Sequence, residues 1–215
     1  MEEKNIKSLN HYDSFEVIDA FQIDKNLDCE SLNDWLQASG ELDDFESTLL
    51  ERVRRELVMY ERQWNEEELK VNFIGFVFFL ANVNERGKIL TFFERKFSGV
   101  VNNISISVIV DCMIATPMKS GRPQSPYFFM QEFKRSRGDD HDPEGQMLAA
   151  MILARFHNQD TKVVYGCWVQ GKYWTFAVLK EGNYCVSPSF DATQVGDLTQ
   201  IVFILRKLKG LILNR

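Results

Sequence analysis

The sequence predicts an α/β fold in which a central mixed β-sheet is flanked by helices and preceded by an N-terminal helical extension. Three observations carry that prediction. Apolar residues recur at three-to-four spacing as far as residue 82, and from Lys88 the period changes to two. After Asp142 a helical pattern interrupts the strands, and another closes the chain. Helices, strands, a helix, strands and a helix in that order stack as layers around one mixed sheet.

Residues 1 to about 40 have weak periodicity; Asp34-Trp35-Leu36 anchors a short helix that Gly40 ends. Asp43 or Asp44 caps a helix to about Gln63, with Phe45, Leu49, Leu50, Val53, Leu57, Val58 and Tyr60 on its apolar side. Asn65 caps the next, with Glu68 as its capping-box partner. From 66 to about 82 that helix is apolar nearly all round after its first turn, which predicts a central, buried position. Strands follow over 89–101 and 104–115, joined at Asn102-Asn103, because Asn tolerates positive φ in a tight hairpin. Residues 117–126, rich in Pro, Gly and Ser, read as a loop, and 127–134 as a third strand. Asp142-Pro143 opens a helix, with Asp as cap and Pro at the first helical position. Strands over 162–169, 172–179 and 184–187 precede a helix over 198–213, with Lys207 and Lys209 near its end to suit the dipole.

A chain of 215 residues with 45% hydrophobic residues and 17 Phe is large enough for a substantial core. No window reaches the eighteen or more apolar residues of a membrane span; the richest, 71–83, contains Asn72 and Asn82. Met1-Glu-Glu-Lys-Asn5 is acidic and lacks a signal-peptide core, which reads as a cytoplasmic protein. The four cysteines are scattered without a CxxC pair, so buried free thiols are expected rather than zinc or disulfides. Charge is asymmetric. Residues 1–70 hold 8 basic and 19 acidic side chains, and residues 71–215 hold 17 and 12. The net charge of −6 argues against a protein that coats nucleic acid, and is compatible with a locally basic cleft.

Candidate chemistry comes from four polar residue types that fall in one order: Asp111, then Glu132-Phe133-Lys134, then Gln146. Asp111 interrupts the apolar run 104–115, and Glu132 and Lys134 end the run 127–134. An ionised carboxylate inside an apolar strand is costly unless a cation or hydrogen bonds offset it. Glu132 and Lys134 share a face because side chains alternate. On neighbouring strands about 4.8 Å apart, Asp111 and Glu132 can share one Mg²⁺ or Mn²⁺, whose oxygen ligands lie about 2.0–2.1 Å away for Mg²⁺. Such a metal lowers the pKa of bound water and offsets charge on phosphorus. Lys134 would orient the water or stabilise negative charge. Gln146, in the first turn of its helix, stands at the dipole's positive end. Glu66, in the first turn of the buried helix, supplies a further carboxylate, with Glu67 its nearest competitor. Arg135 and Arg137 follow the third strand, where they would meet phosphates.

These residues in this order resemble the PD-(D/E)XK nuclease superfamily, the restriction-endonuclease-like fold. The stretch Asn65-Glu-Glu-Glu-Leu-Lys-Val-Asn-Phe-Ile74 also resembles the opening of the nuclease domain in type I restriction motor subunits. Gln131-Glu132-x-Lys134 with Asp142-Pro143-x-Gly145-Gln146 is similar to a set of small Bacteroides-type hypothetical proteins. The resemblance implies a nuclease-like domain over 64–215, with residues 1–63 as an acidic, mainly helical extension. It makes Asp111, Glu132 and Glu66 the metal ligands, Lys134 the catalytic lysine and Gln146 the helix glutamine. It implies divalent-metal-dependent hydrolysis of nucleic acid, DNA first. Nucleases of this type pair to cut two strands, so a homodimer is one expectation; a protein partner for the acidic N-terminal region is another. The family's Pro before Asp is Val110 here, and no DNA-reading module is recognisable.

ExK alone carries no signal: Glu2-Glu3-Lys4, Glu68-Leu69-Lys70 and Glu94-Arg95-Lys96 match it too. Only Glu132-Phe133-Lys134 ends an apolar strand, follows an embedded Asp and precedes a helix opening with Gln. The competing readings are a nuclease-like module that binds without cutting, and a buried Asp111–Lys134 salt bridge. Gln146 then becomes an ordinary first-turn polar residue, Glu66 a dipole-complementing acid, and Arg135 and Arg137 loop solubilisers.

Overall fold

The computed structural model describes residues 6–9, 12–135 and 142–215. The chain runs β1 (Lys7–Ser8), α1 (Ser14–Phe21), β2 (Asp24–Asn26), α2 (Glu30–Leu36), α3 (Asp44–Tyr60) and α4 (Glu66–Leu69). A π-helical turn (Lys70–Ile74) leads into α5 (Gly75–Ala81). There follow β3 (Leu90–Val101), β4 (Ile104–Pro117), β5 (Pro123–Lys134) and α6 (Pro143–Asn158). The chain ends with β6 (Val164–Gln170), β7 (Tyr173–Lys180), β8 (Asn183–Val186), β9 (Phe190–Asp191) and α7 (Val195–Leu213).

The strands form one mixed sheet in the order β1-β4-β5-β6-β7-β8-β2, with β3 also on β4 and β9 on β7. Pairing is parallel for β1–β4, β5–β6 and β2–β8 and antiparallel elsewhere. One face is covered by α2, α3, α5 and α7, around Trp35, Phe129, Phe133, Trp174 and Phe176. The Trp35 indole donates to the Ile204 carbonyl at 2.9 Å and meets Tyr165 and Phe176 edge-on. The other face is covered by α6 and α1, with Met147, Leu148 and Met151 over Val110, Met113 and Met130. Among the described residues no helix is long and apolar enough to cross a membrane.

Local chemistry explains the helix starts. Asp43 and Asn65 form reciprocal capping boxes with Glu46 and Glu68. Asp142 accepts from the Glu144 amide at 2.9 Å, with Pro143 opening α6. Asn82 ends α5 at φ 49°, satisfying carbonyls of the last turn.

Four expectations change. The helix over 66–82 is interrupted by the π turn and is not buried all round. Phe73, Ile74, Val77 and Leu80 face the core, whereas Val71 and Phe79 are each 67% exposed. Its outer side is therefore an exposed apolar face, which a hydrophobic count cannot tell from a second buried one. The loop expected over 117–126 is a hairpin instead, with β4 and β5 paired out to Pro117↔Pro123. Residues 1–63 are not only a helical appendage: β1 joins β4, β2 joins β8, and Trp35 lies in the main core. Cys29 and Cys185 form a disulfide, correcting the expectation of four free thiols; Cys112 and Cys167 are free and buried. The bond joins residues 156 apart because β2 pairs with β8, with Asn26 opposite Cys185, and that register has no local sequence signal.

The start of α6 is locked to the start of α1. The Asp142 carboxylate also accepts from the Ser14 amide at 2.8 Å. A Cβ on Gly145 would overlap the Tyr12 carbonyl oxygen and lie 2.7 Å from the Ser14 nitrogen. Gly145→Ala should gain up to about 1 kcal/mol of helix propensity and lose more to backbone overlap, about 1–3 kcal/mol or above. The expected outcome is a lower urea midpoint with an unchanged m-value; an equal or higher midpoint would show that α1 yields at no cost.

Candidate active site

The site forms where two strands part. β3 pairs with one edge of β4 from Leu90↔Ala115 to Val101↔Ile104, passing over Glu94 and Asp111. The opposite edge carries β1 at Ile104 and Ser105 and β5 from Cys112 onward. Between them the Tyr12 hydroxyl serves that edge, accepting from the Ser107 amide at 2.7 Å and donating to its carbonyl at 3.1 Å. The last rung of the β4–β5 ladder is Cys112↔Gln131, so Asp111 and Glu132 follow as the next opposed pair. There the ladder gives way to a side chain. The Phe133 amide donates to Asp111 Oδ2 at 2.7 Å, satisfying a buried N–H that would otherwise lack a partner.

A second local feature coincides with this fork. Ile106, Val108 and Val110 face α6 before Asp111, whereas Met113 and Ala115 face it afterwards, so the parity of inward residues changes at Asp111. On β3 the same change separates Phe92 from Phe97, and Glu94 between them has φ 52°. Glu94 falls opposite Asp111, between the pairs Phe93↔Cys112 and Arg95↔Val110. A left-handed residue other than Gly or Asn is uncommon and marks a locally imposed conformation.

Around the fork the charged groups converge. Lys134 Nζ lies 2.8 Å from Glu132 Oε1 and 3.9 Å from Glu66 Oε2. Asp111, Glu132 and Lys134 are 6%, 4% and 7% exposed, and the Glu66 side chain is 33% exposed, so the site meets solvent on the side of α4. Of the two helix acids, Glu66 approaches Lys134, whereas Glu67 pairs with Lys70 at 2.9 Å. Lys70 also bridges to Glu94 and stands 5.9 Å from the centre of the Phe133 ring.

Burial, opposed by the Phe133 amide and Lys134, pushes the Asp111 carboxyl up to about 6. Burial, reinforced by the charge of Asp111 and opposed by Lys134, pushes Glu132 up to about 8. For Lys134, burial works against the charge, but Glu132 outweighs it and holds the ammonium above its ordinary value. Lys70 is likewise raised: Glu94 and Glu67 overcome the cost of burial.

Gln146 is the fourth residue of α6, and its Oε1 is buried with no hydrogen-bond partner among the described residues. Arg135 directly follows β5 and is exposed; Arg137 lies outside the described residues. Lys70 and Glu94 were not singled out from sequence. Both sit in ExK matches set aside as noise, Glu68-Leu69-Lys70 and Glu94-Arg95-Lys96, and only the fold brings one residue of each to the fork.

The donor set suits a hard cation. Asp111 Oδ1 and Glu132 Oε2 make no hydrogen bond among the described residues, and both raised carboxyls would be relieved by positive charge. Among the described residues no group of three or more His, Cys, Asp or Glu is gathered as a metal cage. Mg²⁺ does not require one, since it is commonly held by one or two carboxylates with substrate phosphate and water.

The two raised carboxyls make stability depend on pH. Their ordinary values are 3.8 and 4.5, and their folded values about 6 and about 8. Between those limits the folded protein binds more protons than the unfolded chain, so stability falls as pH rises, fully so above the folded values. The melting temperature should therefore drop between pH 5 and pH 8. Glu132→Gln should match the wild type near pH 5, where Glu132 is already protonated, and exceed it at pH 8. Parallel melting curves for the two proteins would contradict this assignment.

The chain matches no protein-family model and no curated protein.

Proposed function

We propose that the protein is a divalent-metal-dependent phosphodiesterase of the restriction-endonuclease-like class, acting on nucleic acid, DNA first. One observation carries the reading: Asp111 and Glu132 are opposed at the strand fork, with Lys134 at 2.8 Å and Glu66 approaching from α4. The order of elements from α4 to β7 accords with the nuclease core that the sequence resembles.

In this reading Asp111 and Glu132 would hold Mg²⁺ or Mn²⁺, with Glu66 as a further carboxylate. The metal supplies a lowered water pKa and offsets charge developing on phosphorus. Water adds to the phosphorus, one ester P–O bond breaks, and the departing oxygen takes up a proton. Lys134, with three donors and no acceptor, orients the water or a phosphate oxygen and stabilises negative charge. It is pre-positioned by Glu132 and Glu66, so little reorganisation is needed. The unpaired Gln146 Oε1 has one acceptor to offer a water or a donor on the substrate. Arg135, and Arg137 beyond it, would contact phosphates on approach.

A second reading rests on the ion pair itself. Lys134 and Glu132 are both buried and in direct contact, so the lysine can serve as the permanent counter-ion of the glutamate. The module would then bind nucleic acid or a protein without cutting it.

Two measurements separate these readings. On the first, Mg²⁺ or Mn²⁺ stabilises the wild-type protein at pH 8, by about 2.7 kcal/mol at 100 times its dissociation constant, and Asp111→Asn abolishes the shift. On the second, no metal-dependent shift appears. Separately, plasmid and single-stranded DNA should be cleaved with either metal, and Asp111→Ala or Lys134→Ala should each cost about 100-fold or more. Full activity in either variant would remove the fork from the chemistry.

A further inference from the structure

On the α6 side of β3 and β4, two residues along β4 from Asp111, lies a cavity of about 340 Å³ whose described lining includes Arg95, Lys96 and Arg122 and no carboxylate. None of the three makes an ion pair among the described residues, although the chain as a whole is acidic at −6. Several cations elsewhere have an acidic partner, such as Arg206 with Glu46, Lys207 with Asp34 and Lys172 with Asp191, whereas these three share one concavity without one among the described residues. Three like charges left around one concavity repel each other unless an anion joins them.

The fold explains how they meet. The left-handed residue Glu94 accompanies a change of parity in β3, so Phe92 and Phe97 face the same core on either side of Arg95 and Lys96. Arg122 arrives from the β4–β5 hairpin. The floor is aromatic, with the Phe97 and Tyr127 rings 4.7 Å apart. Arg95 pairs with Val110, the residue before Asp111, and the lining residue Met113 is two residues beyond Asp111. At about 3.4 Å per strand residue, the cavity begins within about 7 Å of Asp111 along β4. That equals about two nucleotides at ~3.4 Å of axis rise each.

We propose that Arg95, Lys96 and Arg122 form a phosphate-binding pocket that grips the backbone of a nucleic-acid strand one or two nucleotides from the fork. The proposal rests on the nucleic-acid reading of the fork and adds the surface along which the strand lies. Contacts of this kind fix register and orientation and carry no sequence information.

The test is fluorescence anisotropy of labelled duplex and single-stranded oligodeoxynucleotides, in EDTA, across a salt series. The proteins are the full chain, the triple variant Arg95→Gln/Lys96→Gln/Arg122→Gln, and Asp111→Asn. All three substituted cations are exposed, so the triple variant should keep the wild-type circular dichroism spectrum. It should bind at least 10-fold more weakly at low salt. Its slope of log affinity against log salt should be shallower by about 2–3, at ~0.9 per phosphate contact. Asp111→Asn should keep the wild-type slope.

Unchanged affinity and slope in the triple variant overturn the proposal, as does a wild-type chain that binds neither oligonucleotide. Equal competition by inorganic phosphate at the same phosphate concentration also overturns it, since the pocket would then take a free anion. Cleavage with Mn²⁺ alongside unchanged binding in the triple variant would leave the fork standing and dismiss the pocket. Pocket-dependent binding without cleavage by the wild type would do the reverse.

Discussion

The 2.7 Å hydrogen bond from the Phe133 amide to Asp111 is the constraint on which the site depends. Where β4 and β5 part, each strand loses a ladder partner in a region closed to water. A buried amide left unmade there would cost about 1–3 kcal/mol. Asp111 supplies the acceptor and so is fixed in place by the backbone it serves. Its position then sets that of Glu132, the opposed residue, and Lys134 follows by strand alternation. Three charged groups are thus held by one fork rather than by three separate contacts.

That arrangement has an electrostatic cost. Two carboxyls are held above their ordinary pKa values, chiefly by burial, and Asp111 raises Glu132 further. A sheet built for stability alone would place apolar residues here, as it does at Cys112, Ile114, Phe129 and Phe133 on the opposite face. Perturbed carboxyls with a specific cationic partner are more frequent at functional sites than elsewhere, although structural ion pairs also produce them. The second charged pair, Lys70 with Glu94, stands next to the first and joins α4 and the π turn to β3. A π turn in a helix is rare and frequent at functional sites; here it carries Lys70 to the fork.

Much of this was legible in the sequence because it rests on local rules. Asp43, Asn65 and Asp142 cap helices through chemistry visible within four residues. Asp111 and Glu132 stand out as acids in apolar runs, and period two brings Lys134 to the same face. What was not legible depends on long-range geometry. No spacing announces that β2 lies beside β8, so the Cys29–Cys185 bond was missed. Positive φ at Glu94 has no residue signature, because the surrounding strands impose it. The helix over 66–82 was misread because its composition hides which apolar side is covered. Gly145 drew notice as part of a resemblance, and its physical reason appears only when α1 crosses it.

The charge asymmetry has a related explanation. The acidic first 70 residues supply partners to cations of the later chain: Glu46 to Arg206 at 2.5 Å, Asp34 to Lys207 at 3.0 Å and Glu66 to Lys134 at 3.9 Å. The more exposed of these pairs, such as Asp34–Lys207, contribute little individually, about 0–1 kcal/mol. Arg206 does more, because its guanidinium also reaches the Leu80 and Glu41 carbonyls and ties α7 to the end of α5 and the approach to α3. The N-terminal acids therefore complement the body of the protein electrostatically. Arg95, Lys96 and Arg122, at the β3 and β4–β5 edge, lie outside the reach of these acids and line one concavity together. An acidic protein thereby carries a local positive site on the strands that also hold the buried carboxyls of the fork.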